Sequence, residues 1–329
     1  MTNIEQPLLG MFTMDPFFSF VKPRCSPHLH WLEGRTGQFY EEIRHLFPSE
    51  SSFRNLARQE HGLYLALHYP DGVPDRLADI GDWIITWFAL DDLCTNGSAI
   101  DDESVYPAMR QVVEGHATGT PFDIVTPIAM TIKSKMPPAQ WDRFVYLMNY
   151  MISGFAAEDE IRTGRARRDI PTYRKARSGS SGMHWSYLLC EYALDIDASP
   201  YASLELEEAV EAAVWNSIYL NDIISYRKEV LLGRDPCNYV DLYMREAGAD
   251  LQEAVTHVHG LALQAERRIL ELQAAADPIA RTAISAVVDQ MAGTVAWQFV
   301  SPRYIGEGRW SGMAEGTWRL YADRTTVTS

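Results

Sequence analysis

Apolar residues along this chain recur at steps of three and four, the spacing that lines up one face of a helix, and seldom alternate as strand residues do. The pattern predicts helices over about 36–46, 75–92, 103–116, 123–134, 138–156, 183–196, 204–231, 249–274 and 278–299. Between them stand turns rich in Pro, Gly, Ser and Asp, such as YPDGVPD, PSESS and LLGRDP. No repeat, low-complexity linker or block of like charge marks a boundary, so the expectation is one all-α domain over residues 1–329. Roughly ten residues at the N-terminus and roughly 15 at the C-terminus are expected to be flexible, as chain ends commonly are.

Two of the predicted helices carry polar positions that an ordinary core helix would not. Residues 82–92, DWIITWFALDD, are apolar and aromatic up to the adjacent carboxylates Asp91 and Asp92. Carboxylates at the C-terminal end of a helix oppose its dipole. A bound divalent cation would reverse that penalty; solvation of the helix end is the plainer reading. Within 204–231, Asn221, Ser225 and Glu229 are spaced four apart, which stacks them on one face about 6 Å apart along the axis. This polar line, flanked by Ile218, Leu220, Ile223 and Ile224, points either into water or into a polar cavity. An amide carbonyl, a hydroxyl and a carboxylate make a shell for Mg2+, not for Zn2+. Lys228 adds a cation beside Glu229. Two oxygen clusters on separate helices, with cations elsewhere, suggest a metal-clamped diphosphate.

Composition narrows the partners. The net charge of −15, from 29 Lys and Arg against 44 Asp and Glu, argues against a nucleic-acid or anionic-membrane surface. An anion would have to be held locally. Hydrophobic residues at 47% and charged residues at 22% support a globular core. The start, MTNIEQPLLGMF, lacks the basic and apolar regions of a signal peptide, and no run approaches the roughly 18 apolar residues of a membrane helix. A soluble, cytoplasmic protein without membrane insertion is expected. Cys25, Cys94, Cys190 and Cys237 are scattered without metal spacing, which fits free thiols in a reducing compartment. The nine histidines show no ligand spacing and are assigned nothing. The stretch 162–182, with Arg162, Arg165, Arg167 and Arg168, is expected to be a solvated basic loop that turns Gly- and Ser-rich.

At these residues the chain resembles the class I terpene synthases of microbial type. The string Asn221-Asp222-x-x-Ser225-x-x-Lys228-Glu229 matches that family's second metal motif, about 130 residues after Asp91-Asp92. WQFVSPRY at 297–304 ends in an Arg303-Tyr304 pair similar to the family's diphosphate-contacting pair. Arg177 stands where the family places its diphosphate-sensing arginine, before a helix break marked by Gly179 and Gly182; Arg174 and Lys175 compete for that role. The aspartate motif departs from the family's, reading DDLCTNG with Thr95 and Asn96 where a third acid is usual.

The resemblance implies a helical bundle around a central active-site cavity and a single terpene cyclase domain. It implies a trinuclear Mg2+ cluster, with Mn2+ an alternative, on Asp91, Asn221, Ser225 and Glu229, with Asp92 and Asn96 as further candidates. Arg177, Lys228, Arg303 and Tyr304 would bind the diphosphate of a linear isoprenyl substrate. Phe88, Trp87, Gly182 and Trp297 would line the pocket; Tyr219, Trp215 and Trp185 are lesser candidates, and each of these rings has core packing as its plainer reading. Farnesyl diphosphate, giving a sesquiterpene, is the first choice and geranylgeranyl diphosphate, giving a diterpene, the second. A homodimer is compatible. A chain-elongating prenyltransferase would want a second aspartate-rich motif in place of the Asn/Ser/Glu line. A non-catalytic helical binding protein would need no metal triad.

Overall fold

A computed structural model describes residues 7–18, 20–95, 105–199, 204–307 and 315–328, the side chains of 91–95 excepted. Strand β1 (Leu8–Met14) precedes α1 (Leu29–Ile43), α2 (Glu50–Ala57), α3 (His61–His68), α4 (Pro74–Thr95), α5 (Val105–Val113), α6 (Val125–Lys135) and α7 (Pro138–Arg162). Then come α8 (Ile170–Ser180), α9 (Met183–Ala193), α10 (Leu204–Tyr226), α11 (Tyr239–Ala247), α12 (Leu251–Ala275), α13 (Pro278–Gln298) and the short α14 (Pro302–Ile305). Strands β2 (Gly316–Tyr321) and β3 (Thr325–Thr328) close the chain. The architecture is all-α with one small sheet, as the helical periodicity predicts.

Helix α10 is the centre of the bundle. Every residue from 213 to 220 is buried, because the segment AVWNSIYL offers no wide polar face, and such a helix is stable only when surrounded. It packs on α12 and α13, and the buried Asn216 donates Nδ2 to the Ala262 carbonyl of α12 at 2.8 Å. Helix starts follow local chemistry. Asp250 and Glu253 form a capping box on α12, and Asp277 caps α13 ahead of Pro278.

Helices α7 and α8 meet backbone to backbone. A methyl group on Gly154 would stand 2.2 Å from the Ser180 nitrogen, so only glycine permits the approach. That contact fixes α7, which carries Glu158, against α8, which carries Arg177. Helix α8 then breaks at Gly182, whose φ of 69° lies in the left-handed region.

Several elements differ from the sequence expectation. Helices α2, α3, α8 and α11 were not predicted; they are short, and Gly, Ser and charged residues dilute their periodicity. Their start signals are nonetheless present, with Ser49, Asp169 and Asn238 as caps of α2, α8 and α11. Residues 8–14 and 316–328, which overlap the ends expected to be flexible, pair antiparallel in the order β1-β2-β3, with Phe12 opposite Trp318 and Thr317 opposite Thr328. The reason is a brief alternation in TWRLY that buries Trp318 and Leu320. The arginines read as a solvated loop are partly engaged: Arg162 pairs with Glu158 and Asp235, and Arg168 with Asp241. They clip the turn after α7 to the segment leading into α11. Among the described residues Cys25, Cys190 and Cys237 are free thiols; Cys94 lies outside the described side chains.

Candidate active site

The polar line on α10 turns inward. Asn221 is half-buried, and Ser225 is fully buried with its Oγ lacking any hydrogen-bond partner. Glu229 is half-buried and accepts from Asn238 Nδ2 at 3.1 Å. Beyond Tyr226 the helix widens into a π-type turn over 227–232, with Gly233 N donating to the Lys228 carbonyl five residues back at 2.9 Å. The line is therefore not one regular α-helical face. Its last member lies on a wider turn, held by Asn238, which also donates to the Asp222 carbonyl at 2.9 Å.

Asp222, next to Asn221 and so about 100° round the helix, does different work. It is fully buried. One oxygen accepts from the Tyr173 hydroxyl and from the Tyr239 N–H, the latter at 2.6 Å; the other has no hydrogen bond and faces Arg177 at 3.7 Å. Burial pushes this carboxyl up, to about 7, against the pull of Arg177.

Arg177 joins the two helices. Its Nη2 donates to Asn221 Oδ1 at 2.8 Å, and its Nη1 lies 3.6 Å from Glu158. Burial opposes its charge, but Tyr173, Glu158, Asp222 and Glu229 outweigh burial and raise its pKa well above the ordinary value. Its Nε is buried without a partner. The competitor Arg174 faces elsewhere: it donates to the Tyr219 hydroxyl and stacks 3.8 Å over Trp215. Lys175 is exposed. Of the three cations on α8, Arg177 is the one turned toward the polar line.

A second group of candidates gathers at a cleft of ≈ 560 Å3 between α2 and the segment 302–307, where Lys228 and Arg303 share the lining with Ser49, Asn55, Arg58 and Gln59. Lys228 Nζ lies 6.0 Å from the Tyr304 ring, and Arg303 lies 5.1 Å over the Phe88 ring. The buried Arg227, between the polar line and this cleft, donates to the Tyr304 and Ala322 carbonyls at 3.1 Å each. The Arg303-Tyr304 segment is thereby stitched to α10 and to the terminal hairpin.

Behind the cleft is a box of rings. Phe88 stands 4.9 Å from His61, 5.6 Å from Trp297 and 6.1 Å from Tyr64, and Trp297 stands 5.7 Å from Tyr304. Trp87, the residue before Phe88, is buried edge-on to Trp83 at 5.8 Å. Trp185 covers Gly182 and donates to Met151 Sδ. Asp91 and Asp92 lie on the last turn of α4; their side chains, and Asn96 altogether, are outside the described residues.

Sequence reasoning did not find Glu158, Tyr173, Asn238, Arg227 or His61. For α3 a signal existed: His61, Tyr64 and His68 follow helical spacing, so the histidines set aside as dispersed include two on one buried helix. Burial, with Arg303 adding to it, pushes His61 down to about 3, and burial does the same to His68. The unfolded chain takes up these protons near pH 6.5 and the folded chain does not until about pH 3. The two histidines' contribution to stability is therefore present above about pH 6.5 and lost as pH falls, by roughly 2 kcal/mol per histidine at pH 5. Urea midpoints at pH 7.5 and 5 should show the fall, and His68→Gln should flatten it; an unchanged slope would remove His68 from the account.

Residues 82–268 match the family described as terpene synthase family 2, C-terminal metal binding. The chain is 28% identical over 186 residues to sesquiterpene synthase Agr5 of Cyclocybe aegerita, a match spanning 53% of this chain and 43% of that relative. It is 22% identical over 301 residues to sesquiterpene synthase 3 of Postia placenta, spanning 86% and 80%. A solved structure of hedycaryol synthase in complex with HEPES shares the fold, with a TM-score of 0.74 at 20% identity, covering 87% of this chain and 98% of that one.

Proposed function

This chain belongs to terpene synthase family 2, and we propose that it is an Mg2+-dependent cyclase that ionises farnesyl diphosphate and closes the resulting cation to a sesquiterpene. The observation that carries the reading is the Ser225 hydroxyl, buried without a partner between Asn221 and Glu229 on the inward side of α10. Buried polar groups lacking partners are rare and call for a bound group. An oxygen-only donor set fits a hard divalent cation, and among the described residues no cluster of His, Cys, Asp and Glu offers a softer site. Asn221, Ser225 and Glu229, with Asp91 of α4, would hold Mg2+, which when bound supplies Lewis-acid charge to the diphosphate oxygens.

The chain's own residues do the rest. Arg177, whose Nη2 lies on Asn221 Oδ1 and whose Nε has no partner, would supply donors to the same anion. Lys228 and Arg303 would bring donors from the cleft they line, and Tyr304 would add its hydroxyl. As the carbon–oxygen bond breaks, the electron pair stays with the diphosphate, where these fixed donors stabilise the growing negative charge. Phe88, Tyr64 and Trp297 exclude water and offer ring faces to a desolvated cation, each interaction worth about 2 kcal/mol when well placed. The relatives named sesquiterpene synthases support the C15 substrate.

The test is incubation of the purified protein with C10, C15, C20 and C25 isoprenyl diphosphates and Mg2+, followed by mass spectrometry of the volatiles. The C15 substrate should give the dominant cyclic product, and EDTA should abolish it. A dominant C20 product would overturn the substrate assignment, and no product from any of them would overturn the reading.

A further inference from the structure

The chain carries a net charge of −15, yet the cleft between α2 and residues 302–307 has the opposite balance. Arg58, Lys228 and Arg303 line it, and among the described residues its one carboxylate is Glu307. The three cations come from separate elements: the C-terminal end of α2, the π-type turn after α10, and α14. Positive charge gathered in a concave wall concentrates the potential there and draws an anion. Ser51 and Asn55 add neutral hydrogen-bonding groups to the same wall.

Lys228 and Arg303 already belong to the anion site proposed above; Arg58 does not. A guanidinium at the C-terminal end of a helix suits the dipole, which accounts for a cation there but not for its sharing a cleft with two others. Its Nη2 donates to Glu307 Oε2 at 3.3 Å, the one ion pair that either side chain makes among the described residues. The two side chains are 54% and 69% exposed, so water screens the attraction and the pair contributes little. The Glu307 main chain is fixed independently, its N–H donating to the Asp323 carbonyl at 3.0 Å. Its carboxylate can therefore turn into water without moving the backbone that carries Arg303. Resting on the diphosphate reading above, we propose that Arg58 is a further contact of the substrate's diphosphate, and that Glu307 is the counter-ion it leaves when the anion enters. The exchange trades a screened carboxylate for an anion of higher charge, and the guanidinium fork can hold two of its oxygens at once. No covalent step is involved.

The experiment is calorimetric binding of inorganic diphosphate in the presence of Mg2+ at fixed ionic strength, which reads the anion site without turnover. Arg58→Gln should weaken binding about ten-fold, the size of a hydrogen bond between charged groups. Glu307→Gln should tighten it about three-fold, because Arg58 no longer has an ion pair to give up. In the double variant that gain should vanish, since it acts through Arg58. Both side chains are more than half exposed, so the single variants should melt with the wild type. An Arg58→Gln affinity within two-fold of wild type would overturn the proposal, because a charge acting only through salt water has an effect of that size. So would a Glu307→Gln gain that survives in the double variant, or a Glu307→Gln loss, which would make the pair a strut. If Arg58→Gln does not fold, Glu307→Gln decides alone, and an affinity no tighter than wild type overturns the proposal. A wild-type protein that neither binds diphosphate nor consumes any isoprenyl diphosphate would sink the underlying reading instead.

Discussion

Glu229→Gln is expected to lower turnover about 1000-fold at saturating Mg2+ while leaving the melting temperature nearly unchanged. The amide keeps an oxygen for Asn238, which now donates to the carboxylate at 3.1 Å, so packing is preserved. What disappears is the negative charge of the proposed triad. Charge stabilisation by a bound metal is worth several kcal/mol, and at about 1.36 kcal/mol per decade that is about three decades in rate. Steady-state rates with a parallel thermal melt would read both quantities. Activity within ten-fold of wild type would mean that the carboxylate is not a metal ligand and that the polar line serves packing alone.

Arg177→Lys is expected to cost about 100-fold in turnover and about 3 kcal/mol in stability, far more than a conserved charge would suggest. One guanidinium reaches Asn221 at 2.8 Å, Glu158 at 3.6 Å and Asp222 at 3.7 Å. An ammonium is a single point on a flexible stem and cannot span that set. Glu158 retains Arg162 at 2.7 Å and the Ser180 hydroxyl, but Asp222 keeps one oxygen with no hydrogen bond at all. Denaturant unfolding and single-turnover rates on Arg177→Lys and Arg174→Lys would separate the two positions. If Arg174→Lys is crippling and Arg177→Lys harmless, the anion-sensing role belongs one turn earlier on α8.

How much of this was legible in the sequence depended on whether the signal was local. The long helices were legible because α4, α7, α10, α12 and α13 carry sustained three- and four-residue periodicity. The string from Asn221 to Glu229 was legible because its side chains repeat on one short segment. The partners that hold that string were not. Glu158, Tyr173 and Asn238 converge on it from three other elements, and no spacing in the chain ties Tyr173 to Asp222 or Asn238 to Glu229. The motif also looks uniform in sequence, whereas Asp222 is locked into structural hydrogen bonds and Ser225 is left without any. The π-type turn under Glu229 has no sequence mark; it follows from how 227–233 must pack to let Arg227 reach the Tyr304 and Ala322 carbonyls. The terminal sheet was hidden for another reason. Its strands are four to seven residues long, too short for alternation to stand out, and they gain their stability by covering one another.

The most direct measurement is a crystal structure of the protein with Mn2+ and inorganic diphosphate, examined by anomalous scattering. The account predicts an ion bound by Asn221 Oδ1, Ser225 Oγ and the Glu229 carboxylate, with diphosphate oxygens reached by Arg177, Lys228, Arg303 and Tyr304. Metal and diphosphate found away from these residues, with Ser225 Oγ still lacking any neighbour, would contradict it.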